Sequence, residues 1–193
     1  MASPTTPRRR NAATTREAIL NSAHQSFARA GYDGAGVREI AAGAGVTAML
    51  VNRYFGSKEK LFAEVVAQSM AKPIILSEER LKSTMLAEAI ATALVQITKA
   101  GETPLEGFQI MLRSASSQRA AEIGRKQIEK GHQKVLSSAL KGKLADERAA
   151  LVLAFVAGFQ VMRQMIGLKA LTKAKPETLI ALLTPVFQQL IDD

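Results

Sequence analysis

The sequence predicts an all-α fold of about nine helices, and three observations carry that expectation. Apolar residues recur at three- and four-residue spacing along most of the chain, the period of a helix face. Capping residues, glycines and prolines punctuate those stripes where helices should begin and end. No stretch alternates apolar and polar residues for long enough to make a useful strand, and there is no internal repeat. The first part reads as a three-helix, helix-turn-helix domain and the remainder as a larger helical domain.

Residues 1–13, with Pro4, Pro7 and small polar side chains, are expected to form a disordered basic arm. Thr14 with Glu17 three residues on is a capping box that opens the first helix, which should end near Gly31. Val37, Ile40, Ala41 and Ala44 give the second helix one apolar face. Gly45 stops it, because glycine enters the left-handed region cheaply. Val46 fills the corner, and Thr47 caps a third helix running through Val51 to Phe55. Ala41, Gly45 and Val51 supply the small, glycine and branched positions that two steeply crossing helices require. The domain so defined spans residues 14–56.

Ser57 caps a connecting helix within residues 57–73, where Leu61, Phe62, Val65, Val66 and Ser69 form a stripe and Pro73 ends it. Residues 74–193 are expected to form the second domain. Its first helix, over about 77–99, is a candidate for a kink. Thr103, Pro104, Leu105 and Glu106 make a second capping box, with proline at the first helical position. The helix that follows carries Phe108, Met111, Leu112 and Ala115. A basic amphipathic helix over 119–141 ends at Gly142, and helices over 146–167 and Pro176–Ile191 complete the chain, joined by a Lys-rich loop.

Composition excludes several function classes. There is no cysteine, so disulfides and thiolate metal sites are ruled out, and two histidines, His24 and His132, are too few for a His-built metal centre. Neither a nucleophile paired with a base nor a phosphate-binding loop appears, so the chain is not expected to be an enzyme or to need a cofactor. The longest apolar run, 149–159, is too short to span a bilayer, and Arg8, Arg9 and Arg10 are not followed by the apolar stretch of a signal peptide. A cytoplasmic protein without a membrane partner is the expectation.

The net charge of +9 favours an anionic partner. Residues 1–60 hold nine Lys and Arg against four Asp and Glu, so basic density is highest at the end carrying the helix-turn-helix. That placement fits contact with phosphates. On the third helix, Thr47, Ala48, Met49, Asn52 and Arg53 project away from the packing positions Val46, Leu50 and Val51. Asn52 can pair bidentately with adenine, and Arg53 with guanine or a phosphate. Ala48 and Met49 can touch thymine methyls or exclude bases. Arg8 to Arg10 either follow the duplex into a minor groove or simply attract phosphate as a solvated tail.

The run Tyr54-Phe55-Gly56-Ser57-Lys58-Glu59-Lys60-Leu61, with Arg16, Ile19, Leu20, Ala23, Phe27, Gly31 and Tyr32 upstream, resembles the tetracycline-repressor (TetR) family of bacterial regulators. The resemblance by motif covers residues 14–66. It implies that Tyr54 and Lys58 hold the DNA backbone and that Arg38 reads a base; on the residues alone, Arg38 equally suits solvent or a phosphate. Two positions depart from the family pattern: Asn52 replaces a common tyrosine, and Gly36 replaces a hydroxyl cap.

The resemblance further implies a homodimer on an inverted-repeat operator in double-stranded DNA, paired through the last two helices. Ala154, Phe155, Gly158, Leu182, Val186 and Leu190 are the candidate interface, unless those stripes belong to the monomer's own core. It also implies a pocket for a small apolar or anionic inducer, with Phe108, Met111, Leu112, Arg113, Phe159, Met162 and Arg163 as candidate lining. The competing reading of the same Met and Phe stripes is ordinary core. Functionally, the expectation is a sequence-specific repressor released by a small molecule. The alternative is a DNA-binding regulator whose C-terminal domain binds a protein partner and senses no metabolite.

Overall fold

The computed structural model describes residues 7–71, 74–99 and 105–192, with side chains from residue 12 onward. The helices are α1 Pro7–Gly34, α2 Val37–Gly43, α3 Ala48–Phe55, α4 Lys58–Met70, α5 Glu78–Leu81, α6 Leu86–Ile97, α7 Glu106–Ser114, α8 Gln118–Ile128, α9 Lys134–Ser137, α10 Ala145–Gln160, α11 Lys169–Thr172 and α12 Pro176–Ile191. Two π-helical segments, Glu129–Gln133 and Val161–Met165, continue α8 and α10. Nine helices have seven residues or more, and no strand occurs among the described residues. The all-α expectation therefore holds.

The chain divides into two compact units: Met1–Ser69 with Glu106–Gln127, and Met70–Leu105 with Ile128–Asp193. In the first, α1 to α4 close over one apolar core. Ile19, Ala23 and Phe27 of α1, Ile40 of α2, Val51 and Phe55 of α3, and Leu61, Phe62 and Val65 of α4 are all buried. The Phe62 ring meets Phe27 and Tyr32 edge-on, each at 5.0 Å between centroids. Arg16 of α1 donates to both carboxylate oxygens of Glu64 on α4, and its guanidinium lies 4.9 Å from the Phe55 ring centroid. So α4, expected as a separate connector over 57–73, is part of the first unit's core.

Three expectations for this part are corrected. Residues 7–13 are helical, not a disordered arm. Pro7 suits the first helical position, and Arg, Ala and Asn residues follow with nothing to break the helix, so α1 begins a full two turns before the Thr14 capping box. Residues 1–6 lie outside the described residues, as do the side chains of Arg8 to Arg10. Second, α7 packs along α1, and α7 and α8 belong to the first unit rather than folding with the rest of 74–193. The backbone of Arg113 approaches α1 at Gly31, where a Cβ would lie 2.4 Å from the Arg113 carbonyl oxygen. The Tyr32 amide donates to Ser114 Oγ at 2.9 Å, and Ser117 donates to Asp33 at 3.1 Å. Gly31 itself turns the chain, with φ 67° and ψ −176°, where the sequence placed the end of the first helix.

The third correction concerns Arg113, offered above as a pocket anchor. Its Nη1 donates to the backbone carbonyls of Ala28 and Arg29, the last carbonyls before the Gly31 break. A cation at a helix C-terminus satisfies orphan acceptors and opposes the helix dipole, and that is the role found.

In the second unit α6 packs along α12, α12 meets α10, and the three share one apolar core. Leu86, Ala87, Ile90, Ala91 and Leu94 present the buried face of α6, against Val152 and Val156 of α10 and Phe187 of α12. The helix expected over 77–99 is broken between α5 and α6, because Ser83 Oγ accepts the Met85 amide and starts a local turn. The basic helix over 119–141 passes through a π segment and ends at Ser137. Gly142, with φ 82°, follows as expected. The last helix runs Pro176–Ile191, as the sequence marks it. Pro73 and the Thr103–Pro104 half of the second capping box lie outside the described residues.

Candidate nucleic-acid interface

The turn between α2 and α3 is built by hydrogen bonds that only a left-handed residue permits. Gly45 has φ 66°; its amide donates to Ala42 O at 3.1 Å, and the Val46 amide to Ala41 O at 2.9 Å. This pair of bonds is a Schellman motif, which satisfies carbonyls at the end of α2 and turns the chain sharply. Ser22 of α1 donates to Ile40 O at 2.8 Å, and a Cβ on Gly43 would lie 2.4 Å from the Ser22 hydroxyl, so α2 is seated tightly on α1. Thr47 Oγ1 then accepts the Leu50 amide at 3.4 Å and caps α3. Gly36 precedes α2 with no side-chain cap, the weaker start foreseen from its departure.

With its back held by Val51 and Phe55, α3 turns the opposite face outward. Met49 is 80% exposed, and Thr47, Asn52 and Arg53 are exposed as well. Ala48 and Tyr54 are half-buried. Arg38, on α2, is exposed. Lys58 is half-buried, with its ammonium 4.6 Å from the Tyr32 ring centroid. Such a cation–π contact holds the charge in place without neutralising it. Ser57 Oγ accepts the Lys60 amide at 3.3 Å, which opens α4 beside these groups. Ser57 also holds the Glu59 carboxyl below its usual pKa, while burial raises that of the Tyr32 phenol. Sequence reading missed the Lys58–Tyr32 contact, since nothing in the local pattern joins positions twenty-six apart.

The arrangement is a groove-reading head: one short helix with apolar back and polar front, offered by a rigid turn and flanked by cations. Protein class is thereby defined as a helix-turn-helix DNA binder. Residues 19–65 match the family model described as bacterial regulatory proteins of the tetR family, and residues 84–191 match the one described as tetracyclin repressor-like, C-terminal domain. The chain belongs to the TetR family of transcriptional regulators.

A transcriptional regulator from Rhodococcus sp. Rha1 is similar at 29% identity and a TM-score of 0.62, covering 91% of this chain and 95% of that one. A TetR-family regulator from Streptomyces coelicolor A3 shares 23% identity, with a TM-score of 0.60 over 94% and 96%. EbrR, a multidrug binding protein complexed with proflavin, shares the fold at 16% identity and a TM-score of 0.61, over 92% and 99%. No curated protein matches the chain. Among the described residues there is no helix long and apolar enough to cross a membrane, and no group of three or more His, Asp or Glu that could hold a metal ion.

The candidate pocket residues fall in both units. Phe108, Met111, Leu112 and Arg113 belong to the first unit, and Phe159, Met162 and Arg163 to the second. Leu112 and Met162 are exposed, whereas Arg163 is 4% exposed. Of the candidate interface, Ala154, Phe155, Gly158, Leu182 and Val186 are exposed and so are not monomer core; Leu190 is partly buried against the second core. His132 is partly buried, and that burial lowers its pKa.

Proposed function

We propose that the protein is a dimeric repressor that holds an inverted-repeat operator and releases it when a small molecule occupies its helical domain. One observation carries the DNA half: the exposed row Thr47, Met49, Asn52 and Arg53 on a helix whose opposite face is locked by Val51 and Phe55. Asn52 and Arg53 are the bidentate readers in that row, with Met49 as an apolar probe of thymine methyls. Arg38, Tyr54, Lys58 and the N-terminus of α4 position the head on phosphates.

Pairing is supported by apolar residues left uncovered on the second unit. Leu151, Ala154, Phe155 and Gly158 recur along one stripe of α10, continued by Met162 in the π-helical segment, and Leu182 and Val186 along α12, all of them exposed. Contiguous apolar surface of this kind marks an interface more often than a free face. A two-fold pair would place its reading heads on half-sites a helical turn or a multiple apart. Response to a small molecule is supported by fold likeness to EbrR, which holds proflavin, and requires a ligand that favours the DNA-free state. A cytoplasmic location belongs to the same reading.

Selection of bound fragments from genomic DNA, repeated across salt concentrations, tests it. The expected result is an inverted repeat bound with strong salt dependence; binding with no sequence preference at any salt refutes it.

A further inference from the structure

The second unit buries a positive charge that meets no negative one among the described residues. Arg163 is 4% exposed, and its Nη1 donates to Val95 O at 2.9 Å and to Thr98 Oγ1 at 3.0 Å, at the end of α6. Those bonds occupy one corner of the guanidinium. Among the described residues the Nε–Nη2 edge has no partner, and Nε is fully buried. One turn earlier, Gln160 is 5% exposed and spends its amide nitrogen on Val156 O, leaving Oε1 buried without a donor. Arginine cannot shed its proton to escape this environment, although burial lowers its pKa. A buried unpaired charge is among the costliest arrangements in a protein interior, and charged side chains so placed are paired as a rule.

Arg148 differs in part: its Nε is also buried without a partner, but the residue as a whole is only partly buried and both of its Nη atoms are taken, by Ile191 O and Lys141 O. Arg163 is held at one corner and open along the edge whose two parallel N–H groups match the oxygens of a carboxylate. Its backbone is the π-helical segment Val161–Met165, an irregularity that concentrates at functional sites. The Phe159 ring lies 5.7 Å from the guanidinium and offers an apolar wall.

We infer that Arg163 and Gln160 form the head-group site for an organic carboxylate that also carries a hydrogen-bond donor. The carboxylate takes the Nε–Nη2 edge, and a hydroxyl or amide N–H on the ligand donates to Gln160 Oε1. One cation with no second charge selects a monoanion over a phosphate dianion. This deepens the ligand-released reading by naming the ligand's class, and rests on it only for the consequence at the operator.

Lactate, acetate, lactamide and inorganic phosphate are minimal probes of that head group, added to the full-length protein. The Arg163 Nε–H signal in nitrogen-15 NMR, assigned by its loss in Arg163→Lys, reports contact directly. Lactate and acetate should shift it saturably, lactate more tightly, while lactamide and phosphate leave it unmoved. Arg163→Lys keeps a cation for Val95 O and Thr98 but not the two-donor edge. It should melt within a few degrees of the parent and bind lactate roughly ten- to a hundredfold more weakly, as judged by lactate-induced stabilisation. Gln160→Met should erase the advantage of lactate over acetate without lowering the melting temperature.

A signal indifferent to both carboxylates, or shifted equally by phosphate, overturns the assignment. So does a lactate response intact in Arg163→Lys. Glu102, four residues beyond Thr98 in the sequence and outside the described residues, supplies a control: an acetate response present only in Glu102→Gln also overturns the assignment. Operator affinity under the same additions separates the two readings. Carboxylate binding that never alters DNA affinity sinks ligand release and leaves the site; release by neutral compounds with a silent Nε–H does the reverse.

Discussion

Gly31→Ala is the sharpest test of how the first unit is assembled, and Gly45→Ala is its control. Both glycines have nearly the same φ, 67° and 66°. An added Cβ at Gly45 meets nothing within 4 Å, so the only penalty there is left-handed strain, about 1–2 kcal/mol. At Gly31 the ψ of −176° lies in a region that only glycine enters readily, worth roughly 1–3 kcal/mol. The new Cβ would also lie 2.4 Å from the Arg113 carbonyl oxygen and 2.9 Å from its carbon. Those are backbone atoms, so α7 itself must move, and overpacking of that sort adds about 1–3 kcal/mol. The total for Gly31→Ala is then roughly 2–6 kcal/mol, against about 1–2 for the control. At about 2–4 °C per kcal/mol for a chain of this size, far-UV circular dichroism melts should fall roughly two to three times as far for Gly31→Ala as for the control. Equal melting temperatures for the two variants would refute the close seating of α7 on α1.

Asn52→Ala should weaken specific operator binding by about 1–3 kcal/mol and relax preference at one base pair, whereas Lys58→Ala should weaken all sequences alike and lower the salt slope by about one; gel shift on matched and mismatched duplexes distinguishes them, and unchanged specificity in Asn52→Ala counts against its role. Leu182→Glu and Phe155→Glu, both on exposed apolar stripes, should yield monomers by light scattering with a helical spectrum intact; a surviving dimer would move the interface elsewhere. His132 contributes a pH dependence whose sign follows from its lowered pKa. The folded state binds its proton later than the unfolded chain, so stability is full above the usual value near 6.5 and falls as pH drops from there toward the depressed folded value, by at most about 1.4 kcal/mol per unit. Urea midpoints from pH 7.5 to 5 should show that slope reduced in His132→Gln, and an identical slope would exclude the residue.

The reading head was legible because each of its steps is local. The Gly45 turn, the Thr47 cap and the Val51–Phe55 anchor involve residues within a few positions of one another, and the structure builds all three where the residue types demand. What could not be read was nonlocal. Phe108, Met111 and Leu112 carry the stripe of an ordinary core or pocket helix, yet the chain returns them to the first unit because Gly31 and Ser114 admit α7 beside α1. Arg113 and Arg163 occupy similar amphipathic stripes and looked like equivalent polar anchors. Partners more than sixty residues away decide that one caps α1 in the open and the other is sealed inside the second unit.

That use of arginines at helix ends bears on how the protein should respond to salt. Net charge alone would make every cation a candidate for phosphate, but Arg113 and Arg148 are spent on backbone carbonyls and Arg163 is buried. Arg16 and Arg29 pair with Glu64 and Glu39. Around α3 this leaves Arg38, Arg53, Lys58 and Lys60, with Lys58 stacked on Tyr32 rather than paired. If each neutralises one phosphate, a dimer releases counterions from about eight, and log K should fall against log salt with a slope of about −7. Arg8 to Arg10 would steepen it if they reach the duplex, so replacing all three with alanine reports their share directly. A parent slope near −7 that is unmoved by that replacement assigns the electrostatics to the reading head. A slope insensitive to both Arg53→Ala and Lys60→Ala would show that these cations do not face DNA, and with them the assignment of α3 as the groove helix would fall.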